Sequence, residues 1–595
     1  MARFCVCLAS GTGRADARPG AADPHLAAMG APPDAPGLAL VRDEPGHAQG
    51  PFEAYGMRAL GEVTLHNRAE LLAALAADGA SAPPGTGDGE LLLRCWARLG
   101  ERGVALAEGM FALAVLDGRD LVLIRDHVGA RTLFYARAAR VWAASTSLRA
   151  LRRWPALRTR MNLSAVRSFL TFAYLPGDET LLEGVREVLP GRVLRLSADG
   201  TETETVHWEP RERLGEPVGP DGQFGGAGDH VLTLRALLEE ATARRLPEAE
   251  DVGVLLSGGI DSSLVTALAS KLHSHPVRTY SISFGDELPN ELGYSGLVAA
   301  HCHTRHRVLN VSGRAVAARL ADTAALLDSP VGDPLTVPNL MLAEAVAGDG
   351  LRTVLNGEGG DPVFGGPKNL PMLVQEMHAG APGATGSPWY EDRATAYLRS
   401  YRKCWTDLPD LLTADALAAL ESAPAPQRFV EPYLTGPHRM THLLNQLLHC
   451  NLRTKGAHHI LTKVERLTAS QGLQGRAPLF DRRVVDHAFA TPPALKLRGT
   501  AEKWVLKEAV RDLLPATVVD RPKSGMRVPV QQWLSGPLRE LGGDLLLGRA
   551  ARERGLFRPD TVRTWLRGEG TLLPRQGGKL WLVLTLELWL RAYDL

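Results

Sequence analysis

Cysteine is scarce in this sequence. Its 595 residues include six, and none of these form a Cys-x-x-Cys pair. That argues against a disulfide framework and fits a reducing compartment. Net charge is nearly absent as well, since 67 Lys and Arg against 66 Asp and Glu leave +1. Such a balance creates no field that would draw nucleic acid or a membrane surface. No charged-then-apolar leader pattern opens the chain. The most apolar late stretch, "KLWLVLTLELWLRAYDL", is too short to cross a bilayer and contains Glu587. It reads as a buried helix. Internal repeats are lacking too. These absences together predict a cytoplasmic protein with neither a nucleic-acid nor a membrane partner.

What is present is enough for more than one domain. A single core stops growing well below this length, and 45% apolar residues are ordinary for a globular chain. In the first third, "FALAVLDGRDLVLIRD" holds two apolar runs joined by Asp-Gly, a hairpin signal. "RAELLAALAADG" and "LLLRCWARLGERG" read as helices that end near glycine. Hairpins with interspersed helices predict an α+β or sandwich domain. The stretch "PRERLGEPVGPDGQFGGAGD" loses all apolar period and reads as a linker. From there to about Leu355 strands and helices alternate, which predicts a parallel sheet. Beyond residue 370 the pattern is mostly helical, with "HAGAPGATGSPW" as an expected loop.

The sharpest local signal is "VGVLLSGGIDSSLVTALAS". An apolar run, Val252 to Leu256, suits a buried strand. Ser257, Gly258 and Gly259 follow, then Asp261, Ser262 and Ser263 at the head of a helical pattern. A strand, a glycine turn and a helix start aim backbone N–H groups at an anion. Asp261 repels phosphate, so its place there points to a bound Mg²⁺. The spacing is not that of a Walker loop. A second turn, "RTVLNGEGGD", places Glu358 and Asp361 after another strand, where the ligand site of an α/β sheet lies. Asp361 is a candidate to complete the Mg²⁺ site with Asp261.

The loop resembles the PP-loop of ATP pyrophosphatases. Further blocks resemble class B asparagine synthetases: "LDSPVGDPLTVPN", "VLNGEGGDPVFGGPKN", "LTKVERLTASQGLQGRAPLFD", "EKWVLKEAVRDLLPATVVDRPKSGM" and "LWLVLTLELWLR". This resemblance implies an α/β PP-loop domain of the adenine nucleotide alpha hydrolase-like kind, with a parallel sheet and many helices. It also implies adenylation of a carboxylate by ATP, with Glu358 as general base and Lys523 stabilising the leaving pyrophosphate. Leu256, Ile282 and the Asn356–Gly357 backbone would hold adenine and ribose. Lys503 and Lys507 are phosphate-side candidates or, equally, a solvated helix face. Arg466 and Asp481 match family positions, and a structural ion pair explains them as readily as substrate contact. His458 and His459 do not face one way on a helix, which argues against a metal pair.

"GEVTLHNRAEL", "GDGELLL" and "EGMFALAVLDGRDLVLIRDHVGARTLFYA" resemble a class II glutamine amidotransferase domain, an N-terminal-nucleophile (Ntn) hydrolase-like sandwich. That family's nucleophile is Cys at position 2, and this chain has Ala2. Its oxyanion-type Asn is Leu60 here, whereas Asp88 matches a substrate-binding Asp. Cys5 and Cys7, two apart, would share one face of a strand as small buried thiols. The expected organisation is residues 1–208 as an inactive amidotransferase-like domain, 209–229 as linker and 230–595 as the synthetase-like domain.

Two departures bear on substrate. Pro362 follows Asp361 where an acidic residue is usual, and Gln474 replaces the family's acidic residue near the acceptor pocket. Specialised relatives such as β-lactam synthetases and lasso peptide cyclases share the architecture, but the former carry Tyr where Glu358 stands. The leading expectation is an ATP- and Mg²⁺-dependent ligase joining a small-molecule or peptide carboxylate to an amine or ammonia in specialised metabolism, with a homodimer left open. The alternatives are intramolecular amide formation, a glutamine-hydrolysing asparagine synthetase, and a non-catalytic nucleotide-binding scaffold.

Overall fold

The computed structural model describes residues 3–9, 37–41, 46–138, 140–215, 226–285, 291–365, 393–401, 403–435, 440–522, 526–568 and 578–595. Ala2, the middle of the linker and the loop "HAGAPGATGSPW" lie outside them. The chain divides into two compact units. One comprises Met1–Asn162, Gly177–Glu209 and Ile460–Gly472, and the other Leu163–Pro176, Pro210–His459 and Leu473–Leu595.

The strands of the first unit are β1 (Arg3–Ala9), β2 (Leu38–Val41), β3 (Gln49–Ala54), β4 (Met57–Leu65), β5 (Gly109–Asp117), β6 (Asp120–Arg125), β7 (Phe134–Ala138), β8 (Val141–Ser145), β9 (Val185–Glu187), β10 (Arg192–Ser197) and β11 (Glu202–Val206). They form a five-stranded sheet, β2-β1-β8-β7-β9, and a six-stranded sheet, β11-β10-β6-β5-β4-β3. The run Phe111–Val115 is apolar throughout because both of its faces are covered. Phe111, Leu113 and Val115 pack with Leu71, Leu75 and Leu91 to Leu93 of the helices Arg68–Ala77 and Asp88–Leu99. Ala112 and Ala114 pack with Phe4, Val6 and Trp142 of the other sheet. Period-two alternation thus sorts one strand between two cores. The expected hairpin forms, with Asp117 opposite Asp120 and Gly118 at φ +60°. Cys5 and Cys7 have the opposite parity to Phe4 and Val6 on β1, and both are buried thiols outside any disulfide.

A charge cluster lies inside this unit. Arg3 Nη1 donates to Glu62 Oε1 at 2.8 Å and to Glu465 Oε1 at 3.1 Å. Arg466 and Arg131 flank Glu465 at 3.2 and 3.6 Å. Burial pushes the Glu465 carboxyl up, but Arg3, Arg466 and Arg131 together outweigh it and hold it at about 2. Glu62 is depressed for the same reason. His47 is driven down to about 4, chiefly by burial and then by Arg131.

The second unit is built on β12 (Val252–Leu255), β13 (Val277–Ser283), β14 (Arg305–Asn310), β15 (Thr353–Leu355) and β16 (Gln474–Arg476). They form one parallel sheet, ordered β14-β13-β12-β15-β16, so the molecule is a mixed α/β protein. Helices Ile260–Leu272, Leu292–His301, Gly313–Leu326 and Thr336–Gly348 make the crossovers. The last helix, Gly578–Ala592, is buried from Lys579 to Leu590. No helix among the described residues is long and apolar enough to cross a membrane. The described part of the linker is anchored. Glu212 accepts from Thr441 N and Asn445 Nδ2 at 2.5 Å each, beside the start of helix Leu443–Asn451. A carboxylate suits that helix end, and sequence composition gave no sign of the contact.

Candidate active site

The site grows from the carboxyl end of β12. Leu256 N donates to Tyr280 O at 2.8 Å, which carries the strand pairing one residue past β12 before the chain turns. Gly258 turns it at φ +83°, and a Cβ there would meet Ser295 N at 2.7 Å and Tyr294 Cβ at 2.9 Å. Only glycine fits both the dihedral and the space. Ser257 N donates to Ser262 Oγ at 3.1 Å, and the two hydroxyls lie 3.0 Å apart. The loop is therefore closed on the first turn of helix Ile260–Leu272. Ser263 is fully buried there, and its hydroxyl has no hydrogen-bond partner among the described residues. A donor so placed at a helix start suits a phosphate oxygen.

The second turn is pressed onto the first. A Cβ on Gly357 would come within 2.4 Å of Ser262 N, and one on Gly360 within 2.2 Å of Asp261 Oδ1. Asn356, itself buried, receives Glu358 N on its Oδ1 at 3.0 Å and donates through Nδ2 to Arg476 O at 3.2 Å. The turn that carries half-buried Glu358 is thus held from both sides. Asp361 sits in the first turn of the short helix Gly360–Phe364. Pro362 is tolerated there because a first-turn N–H has no helical partner to lose.

Asp261 and Asp361 converge on one cation. Lys503 Nζ lies 2.6 Å from Asp261 Oδ2 and 2.6 Å from Asp361 Oδ1, with its own side chain fully buried. This corrects one expectation: neither Lys503 nor Lys507 lies on a solvated helix face, since both are buried. Tertiary packing decides the matter, because Lys503 caps helix Trp504–Ala509 from a left-handed backbone at φ +54° and reaches back to the loop. Two carboxylates meeting at one point, beside a helix start, could hold a hard divalent cation shared with phosphate oxygens. Among the described residues no larger cluster of potential metal ligands occurs.

Lys523 lies outside the described residues. Arg521, two positions before it, donates to Gly258 O at 3.0 Å, pairs with Glu291 and stacks over Tyr294 at 4.1 Å. Arg521 thus joins the glycine loop, a role no spacing in the sequence signals. Ile282 is buried on β13. Gln474 Oε1 accepts from Arg476 at 2.6 Å but brings no charge to oppose it.

Several other candidates have partners within the protein. Asp481 is buried against Arg245 at 2.8 Å, and Arg466 belongs to the Glu465 cluster. His459 stacks on Tyr174 with ring centroids 5.4 Å apart. Asp88 accepts from Leu65 N at 2.9 Å and pairs with Arg68. Leu60 is buried in the core between the two sheets.

Gly360→Ala tests the packing of the two turns. Its backbone φ accepts alanine, but the new methyl would displace Asp261. The expected result is ATP affinity at least about tenfold weaker with the thermal unfolding profile retained, read by calorimetric titration and melting. Unchanged affinity would mean that Asp261 is not held where ATP needs it.

The family model for asparagine synthase matches residues 233–591, and that for a glutamine amidotransferase domain matches residues 42–208. The chain is similar to carboxyethyl-arginine beta-lactam-synthase of Streptomyces clavuligerus, 29% identical over 468 residues, 78% of this chain and 72% of that one. It is also similar to asparagine synthetase [glutamine-hydrolyzing] 1 of Bacillus subtilis, 23% identical over 524 residues, 84% of this chain and 80% of that one. Fold, site and these likenesses define an ATP-dependent carbon–nitrogen ligase that forms amide bonds. The chain belongs to the asparagine synthase family.

Proposed function

We propose that this ligase adenylates a carboxylate, releasing pyrophosphate, and passes the acyl group to an amine or ammonia, releasing AMP, as a step in specialised metabolism. The convergence of Asp261, Asp361 and Lys503 beside the loop Ser257–Ser263 carries the reading. The loop amides and the hydroxyls of Ser257, Ser262 and Ser263 bind phosphate, while Leu256, Ile282 and the Asn356–Gly357 backbone bind adenine and ribose. Asp261 and Asp361 hold Mg²⁺, which when bound neutralises phosphate charge. Lys523 stabilises the departing pyrophosphate. Glu358 takes the proton that the amine nitrogen loses as its lone pair forms the C–N bond and the C–O bond to AMP breaks. The parallel-sheet unit is read as a PP-loop fold, and the two-sheet unit as an Ntn-hydrolase-like domain, with domains at 1–208 and 230–595 joined by 209–229.

Nitrogen is proposed to enter as a free amine or ammonia rather than from glutamine. Leu60, with its side chain in the core, has no side-chain amide to donate in an oxyanion hole, and Cys5 and Cys7 are buried within β1. Gln474 in place of an acidic residue argues for an acceptor other than aspartate. Closure of an amide within one molecule is a second reading, favoured by the likeness to carboxyethyl-arginine beta-lactam-synthase.

The test is pyrophosphate release with ATP and Mg²⁺ over a panel of carboxylates, each with and without amines and ammonia. Release with at least one acid, amide formed with AMP, and no glutamate from glutamine are the expected results. Tight ATP binding without pyrophosphate from any acid would favour the scaffold reading. A product lighter than its acid by one water, formed with no amine added, would favour the intramolecular one.

A further inference from the structure

We propose that Lys503 is the resident counter-ion of the Asp261–Asp361 pair, keeping a bare divalent ion out of the site until the metal arrives with ATP. The inference rests on the reading of the site as a nucleotide-and-metal site. Lys503 Nζ sits 2.6 Å from one oxygen of each carboxylate, the place two such groups would otherwise offer to a metal. The Lys503 side chain is fully buried while that of Asp361 is 46% exposed. The ammonium is therefore the inner partner, and Asp361 is the more exposed of the two carboxylates.

The pair together with Lys503 carries a net charge of −1 instead of −2. With the repulsion from the ammonium included, a bare divalent ion meets about half the net attraction it would find at the two carboxylates alone. Phosphate changes this balance. Its oxygens supply further ligands to the metal and a new acceptor for the ammonium. Metal and nucleotide then enter as one unit, and Lys503 exchanges carboxylate for phosphate as its partner.

The backbone is shaped for such an exchange. Lys503 is one of few non-glycine residues at positive φ in the described chain, a conformation that side chains adopt at a cost and that concentrates at functional sites. Its carbonyl accepts from Lys507 N at 2.9 Å, so the backbone stays fixed while the side chain changes partner. The turn at Gly360 presses on Asp261, which keeps the carboxylate gap in place when the ammonium leaves.

The experiment titrates Mn²⁺ into the full chain and follows the free-ion electron paramagnetic resonance signal, with and without α,β-methylene-ATP. Wild type is expected to retain Mn²⁺ only with the nucleotide. Lys503→Gln is expected to bind Mn²⁺ without nucleotide at least about tenfold more tightly than wild type, and to lose this gain in Lys503→Gln/Asp361→Asn. A merely structural lysine would not create metal affinity when removed. If a folded Lys503→Gln binds Mn²⁺ no better than wild type while both bind Mn²⁺ with the nucleotide, the counter-ion role is overturned and the site reading stands. If Lys503→Gln does not fold, Lys503→Met and Lys503→Arg decide: Met should gain the ion and Arg should not, and equal behaviour overturns the role. If wild type retains no Mn²⁺ even with the nucleotide, the site reading itself fails.

Discussion

Glu358→Gln is expected to leave pyrophosphate release near the wild-type rate and to slow amide formation by about 10²- to 10⁴-fold, the range for removal of a general base. The substitution keeps side-chain volume and the backbone bond from Glu358 N to Asn356 Oδ1, so the turn should hold. The groups proposed to serve adenylation, Asp261 and Asp361 with their partner Lys503, are left in place. What is lost is a basic oxygen one residue from Gly357, which touches the head of the loop helix. Rapid-quench measurement of pyrophosphate and amide with a substrate pair identified by the panel separates the two half-reactions. Equal loss of both would move Glu358 from proton transfer to adenylation, and loss of neither would remove it from the chemistry.

Glu465→Gln is expected to destabilise the first unit by about 3–5 kcal/mol, the usual effect of removing one partner from a buried ion pair. Arg3, Arg131 and Arg466 surround Glu465, and the amide would leave them with Glu62 as the remaining carboxylate of the cluster. The sign of the pH effect follows from the depressed carboxyl. Its folded pKa of about 2 lies below the ordinary 4.5, so its stabilisation is complete above about pH 4.5 and is lost as pH falls toward 2. Wild type should therefore lose stability across that window more steeply than Glu465→Gln. Urea unfolding at several pH values reads both effects. A variant within about 0.5 kcal/mol of wild type would show that the cluster contributes little.

Much of this architecture is written locally. The Asp-Gly hairpin, the alternation on β5 and the glycine turns at Gly258 and Gly357 follow from side-chain period and dihedral limits, which act between near neighbours. Lys503 shows where that reasoning stops. Nothing in "EKWVLKE" distinguishes a solvated lysine from one buried between two aspartates far away in sequence. Arg466 teaches the same lesson, since its partners Glu465 and Thr132 include one that no spacing relates to it.

By itself the sequence determined the strand, the glycine loop and the helix that follows it, the two acidic turns, and the place of Cys5 and Cys7 as small residues on one face of a strand. Only the tertiary structure decided which charges meet. It placed Lys503 between Asp261 and Asp361, gathered Arg3 and Glu62 around Glu465, and grouped Ile460–Gly472 with the first unit. The physical reason is that backbone geometry is a local property of the chain. The partner of a buried charge is set by whatever long-range packing removes water from around it.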